Sequence, residues 1–562
     1  MTARPASQHR RSDARHRPAP ALAAARGFRS TGNVNRARPA TLPGWFVSTF
    51  ASTALVAAVA LPVRAQFRMP VTPQDEGMLL VYPSQILAGA IPNLSFSSTY
   101  GAASLWSISA AFAVGGQSVR TERAVGLVYE LALVAALAAL AWRRRGPLAG
   151  AAAGIVSMIF RSPFGVAAFA WMGALAFGAF GLLLLDIALA SEGRRWALLA
   201  AGACLGLAVS YRLDLSFAVA LVLAVIGVAR PKAIPPVLLG ALAGSAPLVV
   251  NAAQAGLGNV VLQQLIDPVF VSSPLRRLPL SGLPAVGLLV LAASVSVAVA
   301  HLVLGAIAFR RDRASLPGVS SLLVGAFEVA ILPQAFQRAD AFHVAFVASF
   351  VLATAVIIPS RIASRPASRF PWAILAGGVA VVLAVSAFGK PFALASVRGI
   401  GPGLAPEILV SHDGRTLPVE HDEDREDLLG LLGRIDETPW KPGMTVFVAP
   451  EDLRRTNYND TSLYFLLPRL RPATFHLEMN PGIDIGENSR LVAELKRSDL
   501  LILTNRWDSW DEPNGSSRYG PETANEVVRR RFRPIGRWRF WTLLVNAAPA
   551  REGAGGAATI RR

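Results

Sequence analysis

The sequence predicts an α-helical polytopic membrane protein with about eleven transmembrane helices, followed by a C-terminal α/β domain outside the membrane. Three observations carry this expectation. Of 562 residues, 53% are hydrophobic and the mean hydropathy is +0.43, too apolar for a soluble chain of this size. Between Trp45 and Phe388 the apolar stretches reach or approach the length that crosses a hydrocarbon core. Beyond residue 389 the composition changes to short strand-like runs that alternate with helical ones.

The connections between the apolar stretches are of two kinds. One set reads Trp142-Arg143-Arg144-Arg145, Arg194-Arg195, Arg230-Pro231-Lys232, Arg310-Arg311-Asp312-Arg313 and Arg361…Arg365…Arg369. The alternate set carries Asp75-Glu76, Arg212…Asp214, Asp267 and Arg338…Asp340…His343. Cytoplasmic loops collect Lys and Arg, so the first set is expected inside and the second outside. An odd number of spans then takes the chain from a cytoplasmic N-terminus to an external C-terminal domain. A multi-pass location in a membrane is expected.

The net charge of +19 fits the same picture. Residues 1–44 hold nine Arg against one Asp, and most other basic clusters flank apolar runs. That pattern is positive-inside bias plus a disordered basic tail able to lie on anionic lipid. It is not a groove-tracking patch, and no nucleic-acid partner is expected. The single Cys204 excludes an internal disulfide and a cysteine-based metal site.

In chain order, helices are expected near 45–63, 122–142, 147–161, 164–190, 195–211, 213–229, 233–253, 283–309, 317–335, 341–359 and 371–388. Very short connections at 143–146 and 161–163 make antiparallel neighbours of the helices they join. The external stretch 64–121 holds two apolar segments, 78–90 and 102–114, too short to span and suited to lying in the interface plane. A second long external stretch, 254–282, contains Gln263, Gln264 and Arg276-Arg277. In the domain 391–550, strands are expected at Thr445–Val448 and Leu500–Leu503, helices near 459–468, 489–497 and 521–531, and a hairpin over Gly536–Val545. Residues 551–562 read as a loose tail.

Chemistry is expected in three places. Adjacent carboxylates Asp75 and Glu76 beside a bilayer are costly unless hydrated or used; one of them, its pKa raised by desolvation, suits a proton acceptor. The competing reading is an acidic residue in a wet loop, and a divalent cation held with water is a further use. Arg338-x-Asp340-x-x-His343 offers a planar fork for phosphate oxygens and an imidazole beside it, against a plain helix start capped by Asp340. Tyr211-Arg212-x-Asp214 offers a second Arg–Asp pair, against a structural pair at a helix end. Glu328 lies deep in an apolar helix and needs a partner that the sequence does not name. The sequons at Asn93 and Asn459 carry no weight, and no phosphate-cradling glycine loop is present.

Taken with Leu87-Ala88-Gly89-Ala90-Ile91-Pro92, Phe96, Tyr100-Gly101 and Val119-Arg120…Arg123, the Asp75-Glu76-Gly77 stretch resembles the first external loop of the GT-C superfamily of polytopic glycosyltransferases. Protein O-mannosyltransferases and lipid A aminoarabinose transferases belong to that superfamily. The resemblance covers about residues 45–390. It implies a GT-C-like membrane domain and a transferase that moves a sugar from a polyprenyl-phosphate carrier to an envelope glycan, lipid or protein acceptor on the external face. It implies Asp75 or Glu76 as the catalytic acid, and Arg338, Arg212 and His343 around the donor phosphate. Asp340, Asp214 and Tyr100 would support them. Ser95 departs from the pattern, standing where many relatives carry an Asp, and Ala102 replaces a Pro. A non-catalytic envelope assembly protein and a lipid or glycan flippase remain the alternatives. No redox or nucleotide cofactor is implied, and a divalent cation is left open.

Overall fold

A computed structural model of the chain describes residues 43–191, 194–359, 388–401, 407–439, 441–481 and 490–547. The expected basic tail, the helix at 371–388 and the C-terminal tail fall outside these residues, apart from residues 43 and 44 of the first and residue 388 of the second.

The membrane part follows the apolar stretches. Helices α1 (Gly44–Gln66), α4 (Val119–Arg145), α5 (Pro147–Arg161), α6 (Ala170–Ala190), α7 (Arg195–Tyr211) and α8 (Ser216–Ala229) occupy six of the expected segments. Next come α9 (Ile234–Gly244) and α10 (Ala246–Ala255), then α13 (Ala285–Arg311), α14 (Leu316–Ile331) and α16 (Ala341–Thr354). Among the described residues six helices are long and apolar enough to cross a membrane, or seven if α9 and α10 form one bent span. The remaining apolar helices, including α7, α8 and α16, are shorter. The expected single helix at 233–253 is broken, with a 46° bend between α9 and α10. Pro247, just past the break, lacks the N–H that a continuous helix would require.

Buried charge inside the bundle is paired. Glu328 finds the partner it requires in His301, at 2.8 Å, and Thr354 donates to its other oxygen. Asp186 is held by Arg143, Arg144 and Ser320.

The stretch 64–121 forms α2 (Asp75–Leu87) and α3 (Ala102–Gly115). Between them the Ile91–Ser98 turn is pinned at Asn93, which adopts φ 65° and is 1% exposed. Its side chain donates to the Ser98 carbonyl at 2.7 Å and accepts from Asn251 and Gln264 at 3.0 and 2.7 Å. Asn93 is therefore a structural knot. Gln264 belongs to a π-helical turn (Leu262–Val271) that, with the short helices α11 (Leu257–Val261) and α12 (Ser272–Arg276), fills the stretch expected as a loop.

Helix α17 (Gly389–Ile400) leads to the α/β region. A hairpin of β1 (Ile408–His412) and β2 (Arg415–Val419), unforeseen from the sequence, turns at Asp413-Gly414, both at positive φ (49° and 76°), as a two-residue hairpin turn demands. Helix α18 (Asp422–Glu437) follows. A five-stranded mixed sheet then forms in the order β4-β3-β5-β7-β6. Its strands are β3 (Thr445–Pro450), β4 (Arg471–Pro472), β5 (Leu500–Thr504), β6 (Phe532–Arg537) and β7 (Trp541–Asn546). The expected strands are β3 and β5, which pair in parallel, and the expected hairpin is the antiparallel β6–β7 pair. The three expected helices are α19 (Ser462–Leu466), α20 (Arg490–Arg497) and α21 (Thr523–Arg531).

Backbone hydrogen bonds join this region to the stretch 64–121. Val71 donates to Pro418 at 2.9 Å, Ser462 to Pro73 at 2.9 Å and Ser97 to Phe475 at 2.7 Å. The loop is thereby clamped between the helices and the sheet, which fixes the start of α2.

Candidate functional site

Asp75 and Glu76 open α2 one after the other, and consecutive helical positions point about 100° apart. The two carboxylates accordingly go to different places. Glu76 is 3% exposed and bidentate to Arg123 on α4, at 2.6 and 2.9 Å. The same guanidinium ties down the carbonyls of Phe67 and Met69 at 2.9 and 2.7 Å. Glu76 is thus committed to holding the loop.

Asp75 remains accessible while protein surrounds it, as a group lining a cavity does. Burial pushes its carboxyl above the ordinary carboxylate range, against the opposing pull of His343, Arg338 and Arg276. One acid is therefore turned toward a set of cations and kept partly desolvated.

Those cations come from separate elements. Arg338 follows the short helix α15 (Pro333–Gln337) and pairs by a backbone bridge with Leu278. Its Nε donates to Asp340 at 2.9 Å, and its terminal nitrogens grip Glu512 of the α/β region. Tyr458 lies against the same guanidinium. Asp340 caps α16, accepting from the His343 backbone at 2.8 Å and contacting its Nδ1 at 2.9 Å. Burial alone would raise the Asp340 carboxyl, and the contacts to His343 and Arg338 more than offset that, leaving it below its usual range. One carboxylate thus caps a helix and orients both an Arg and a His.

The third group sits between α7 and α8. Arg212 is bidentate to Asp214 at 3.0 and 2.8 Å, and Asp214 also accepts from Gln334 at 2.5 Å. The Arg212 guanidinium lies 5.1 Å from the Trp171 ring centre and 5.9 Å from that of Tyr100. Tyr100 is brought there by Gly101, whose N–H donates to the Tyr211 carbonyl at 2.9 Å; an added Cβ would strike the Ser210 carbonyl. Burial, with Glu478 and Asp75 nearby, raises the Tyr100 hydroxyl well above its usual range.

Sequence reasoning missed four contributors. Arg276, at the end of α12, acts on Asp75, Tyr100 and Glu478 alike. Glu478 stands on the loop after β4, beside Gln74 and hydrogen-bonded to Asn480, its carboxyl raised by burial. Glu512 and Tyr458 are brought in from the α/β region. The doublet Arg276-Arg277 on the carboxylate-bearing side was the one available signal. Glu478 lay in an unremarkable loop. Ser95, where an acid was expected, closes the Ile91 turn through its hydroxyl at 3.0 Å. The second carboxylate near Asp75 comes instead from Glu478.

Beside Arg338 lies a cavity of about 720 Å³ whose walls include Arg277, Leu280, Phe336, Asn514 and Arg518. The loop that carries Glu512 forms one side of it. Among the described residues no group of three or more His, Cys, Asp or Glu converges as metal ligands do.

No protein-family model matches this chain, and no curated protein sequence matches it. Solved structures do. The structure of ArnT from Cupriavidus metallidurans bound to undecaprenyl phosphate is 14% identical, with TM-score 0.52, over 91% of this chain and 99% of its own. Its apo state is 15% identical with TM-score 0.51, covering 90% and 98%. The archaeal oligosaccharyltransferase AglB from Archaeoglobus fulgidus, in complex with an inhibitory peptide and a dolichol-phosphate, is 11% identical with TM-score 0.51, covering 88% and 74%. At such identities the likeness is one of fold: the chain shares the overall fold of these proteins.

Proposed function

We propose that the chain is a glycosyltransferase of the bacterial plasma membrane that moves a sugar from a polyprenyl-phosphate carrier to a hydroxyl on an envelope acceptor. The N-terminus would lie in the cytoplasm, and both the site and the α/β domain, residues 391–550, would face outward. The observation that carries the reading is one acid, Asp75, held among Arg276, Arg338 and His343. Lipid phosphates in the matched ArnT and AglB structures support the choice of donor.

The chemistry follows from the arrangement. Asp75, partly desolvated, takes the proton from the acceptor hydroxyl as its oxygen attacks the anomeric carbon. The bond between that carbon and the donor phosphate oxygen breaks, and the electron pair leaves with the lipid phosphate. Arg338 and Arg276, with Arg212 and His343, stand where this negative charge develops. Asp340 and Asp214 hold two of these guanidiniums in place. Glu478 adds a second carboxylate to orient hydroxyls of donor or acceptor. Glu512 sits on the Arg338 fork as a phosphate would, so donor binding exchanges one anion for another.

A flippase would keep its charges near the bilayer midplane between two related halves. Here the side chains that surround Asp75 gather at one end of the helices, and the buried charges Glu328 and Glu130 are paired with His301 and Arg161. The test is transfer from a polyprenyl-phosphate sugar by purified protein in liposomes, with Asp75→Asn alongside. Donor-dependent transfer that Asp75→Asn abolishes supports the reading; a protein that neither transfers nor binds the donor would be an envelope assembly protein.

A further inference from the structure

The helices have a second polar end. Helix α4 starts at the Glu76–Arg123 pair and runs 27 residues to Arg145, roughly 40 Å at 1.5 Å per residue. Helix α13 ends at Arg311 and α14 begins at Leu316 near the same level, while α16 and its terminal turn reach it at Ile357. Between them lies a cavity of about 440 Å³ whose walls include Arg143, Arg144, Arg145, Arg311, Leu304 and Ile307. None of these residues contributes to the site around Asp75.

The charge of this cavity is unbalanced. Its lining carries no carboxylate among the described residues; the nearby Asp186, bonded to the lining residue Ser320, pairs with Arg143 and Arg144. The Arg144 Nε is buried and has no hydrogen-bond partner among the described residues. Arg145 donates only to the Ile358 carbonyl, at 2.6 Å, and Arg311 has no hydrogen-bond or ion-pair partner among the described residues. Four guanidiniums thus converge against one carboxylate. The neighbouring wall is apolar and open: Leu304 and Ile307, three positions apart on one face of α13, are 37% and 38% exposed.

A concave site with surplus guanidinium above exposed aliphatic side chains matches a phosphate on an acyl chain. We propose that this cavity binds the phosphate headgroup of an anionic phospholipid, with its chain along Leu304 and Ile307. The site lies on the face opposite the transfer chemistry and does not depend on it. Free inorganic phosphate shares the headgroup chemistry and lacks the chain, which separates the two.

The test is native mass spectrometry of the full-length protein, delipidated and then titrated with phosphatidylglycerol or with inorganic phosphate. Wild type is expected to retain one phosphatidylglycerol, and Arg145→Gln/Arg311→Gln to lose roughly tenfold or more in affinity. Arg529→Gln/Arg530→Gln, which removes the same charge from exposed positions on α21, is expected to bind as wild type does. The single variant Arg311→Gln, which breaks no contact, is expected to show a partial loss and guards against misfolding of the double variant. Equal binding by wild type, Arg311→Gln and Arg145→Gln/Arg311→Gln would overturn the site. Inorganic phosphate binding as tightly as the lipid would overturn the assignment to a lipid.

Discussion

Gln74 donates from Nε2 to the backbone carbonyl of Met479 at 3.0 Å, although the two lie 405 residues apart. This bond ties the residue before Asp75 to the residue after Glu478, so the acid from the membrane part and the acid from the α/β region lie close enough to act on one another. The site belongs to neither part alone.

The docking that makes this possible leaves no room at Gly77. A Cβ built there would lie 2.5 Å from the Ser462 backbone nitrogen, which itself donates to Pro73 at 2.9 Å. Gly77→Ala should therefore force α2 away from α19, at a cost of about 1–3 kcal/mol in stability. Thermal unfolding and transfer measured together check this, since both should fall.

The two neighbouring acids should separate cleanly on mutation. Asp75→Asn is expected to lower transfer by ~10²–10⁴-fold while the protein stays folded. Glu76→Gln leaves Arg123 buried without its partner, a change that costs about 3–5 kcal/mol in comparable buried pairs. Its primary defect should be loss of folded protein in detergent, seen by size-exclusion chromatography.

The pH dependence of transfer follows from the direction of the Asp75 shift. A base must be ionised, and burial raises this carboxyl, so activity should fall on acidification at a pH above the usual range near ~3.9. Arg276 opposes that rise, so Arg276→Gln should move the acid limb to still higher pH. Stability has the opposite sign. A carboxyl raised on folding favours the folded state when protonated, and that contribution is lost as pH rises through the raised value. A pH–rate profile for wild type and Arg276→Gln reads the first effect directly.

Glu512 competes for Arg338, which it grips with both oxygens. Glu512→Gln removes the negative charge and keeps the shape. Tighter binding of polyprenyl phosphate by this variant is the expected result, measured by tryptophan fluorescence or native mass spectrometry.

Most of the helices were legible because an apolar run of spanning length has few other uses. The break at Ser245 was not, since hydropathy does not register the missing N–H of Pro247. Asp75, Arg338, Asp340, His343 and Arg212 could be singled out because charge beside an apolar run is costly and therefore conspicuous, whereas Tyr100 was named only through the family resemblance. Which of Asp75 and Glu76 is turned toward Arg338 and Arg276 was not legible, because it depends on Arg123 arriving from another helix. Glu478 and Glu512 were invisible for a related reason: an acid in a hydrated α/β region looks like any other until the docking places it. The β1–β2 hairpin carried a signal in Asp413-Gly414 that its short polar strands obscured.

The account rests on Arg338 as the cation that receives a lipid phosphate, and binding of polyprenyl phosphate to purified wild type, Arg338→Lys and Arg338→Ala tests it most directly. Lys keeps the charge and loses the fork, so affinity should fall in the order wild type, Arg338→Lys, Arg338→Ala, with Asp340→Asn showing a milder loss. Equal affinity across the series would give Arg338 a purely structural role and contradict the account.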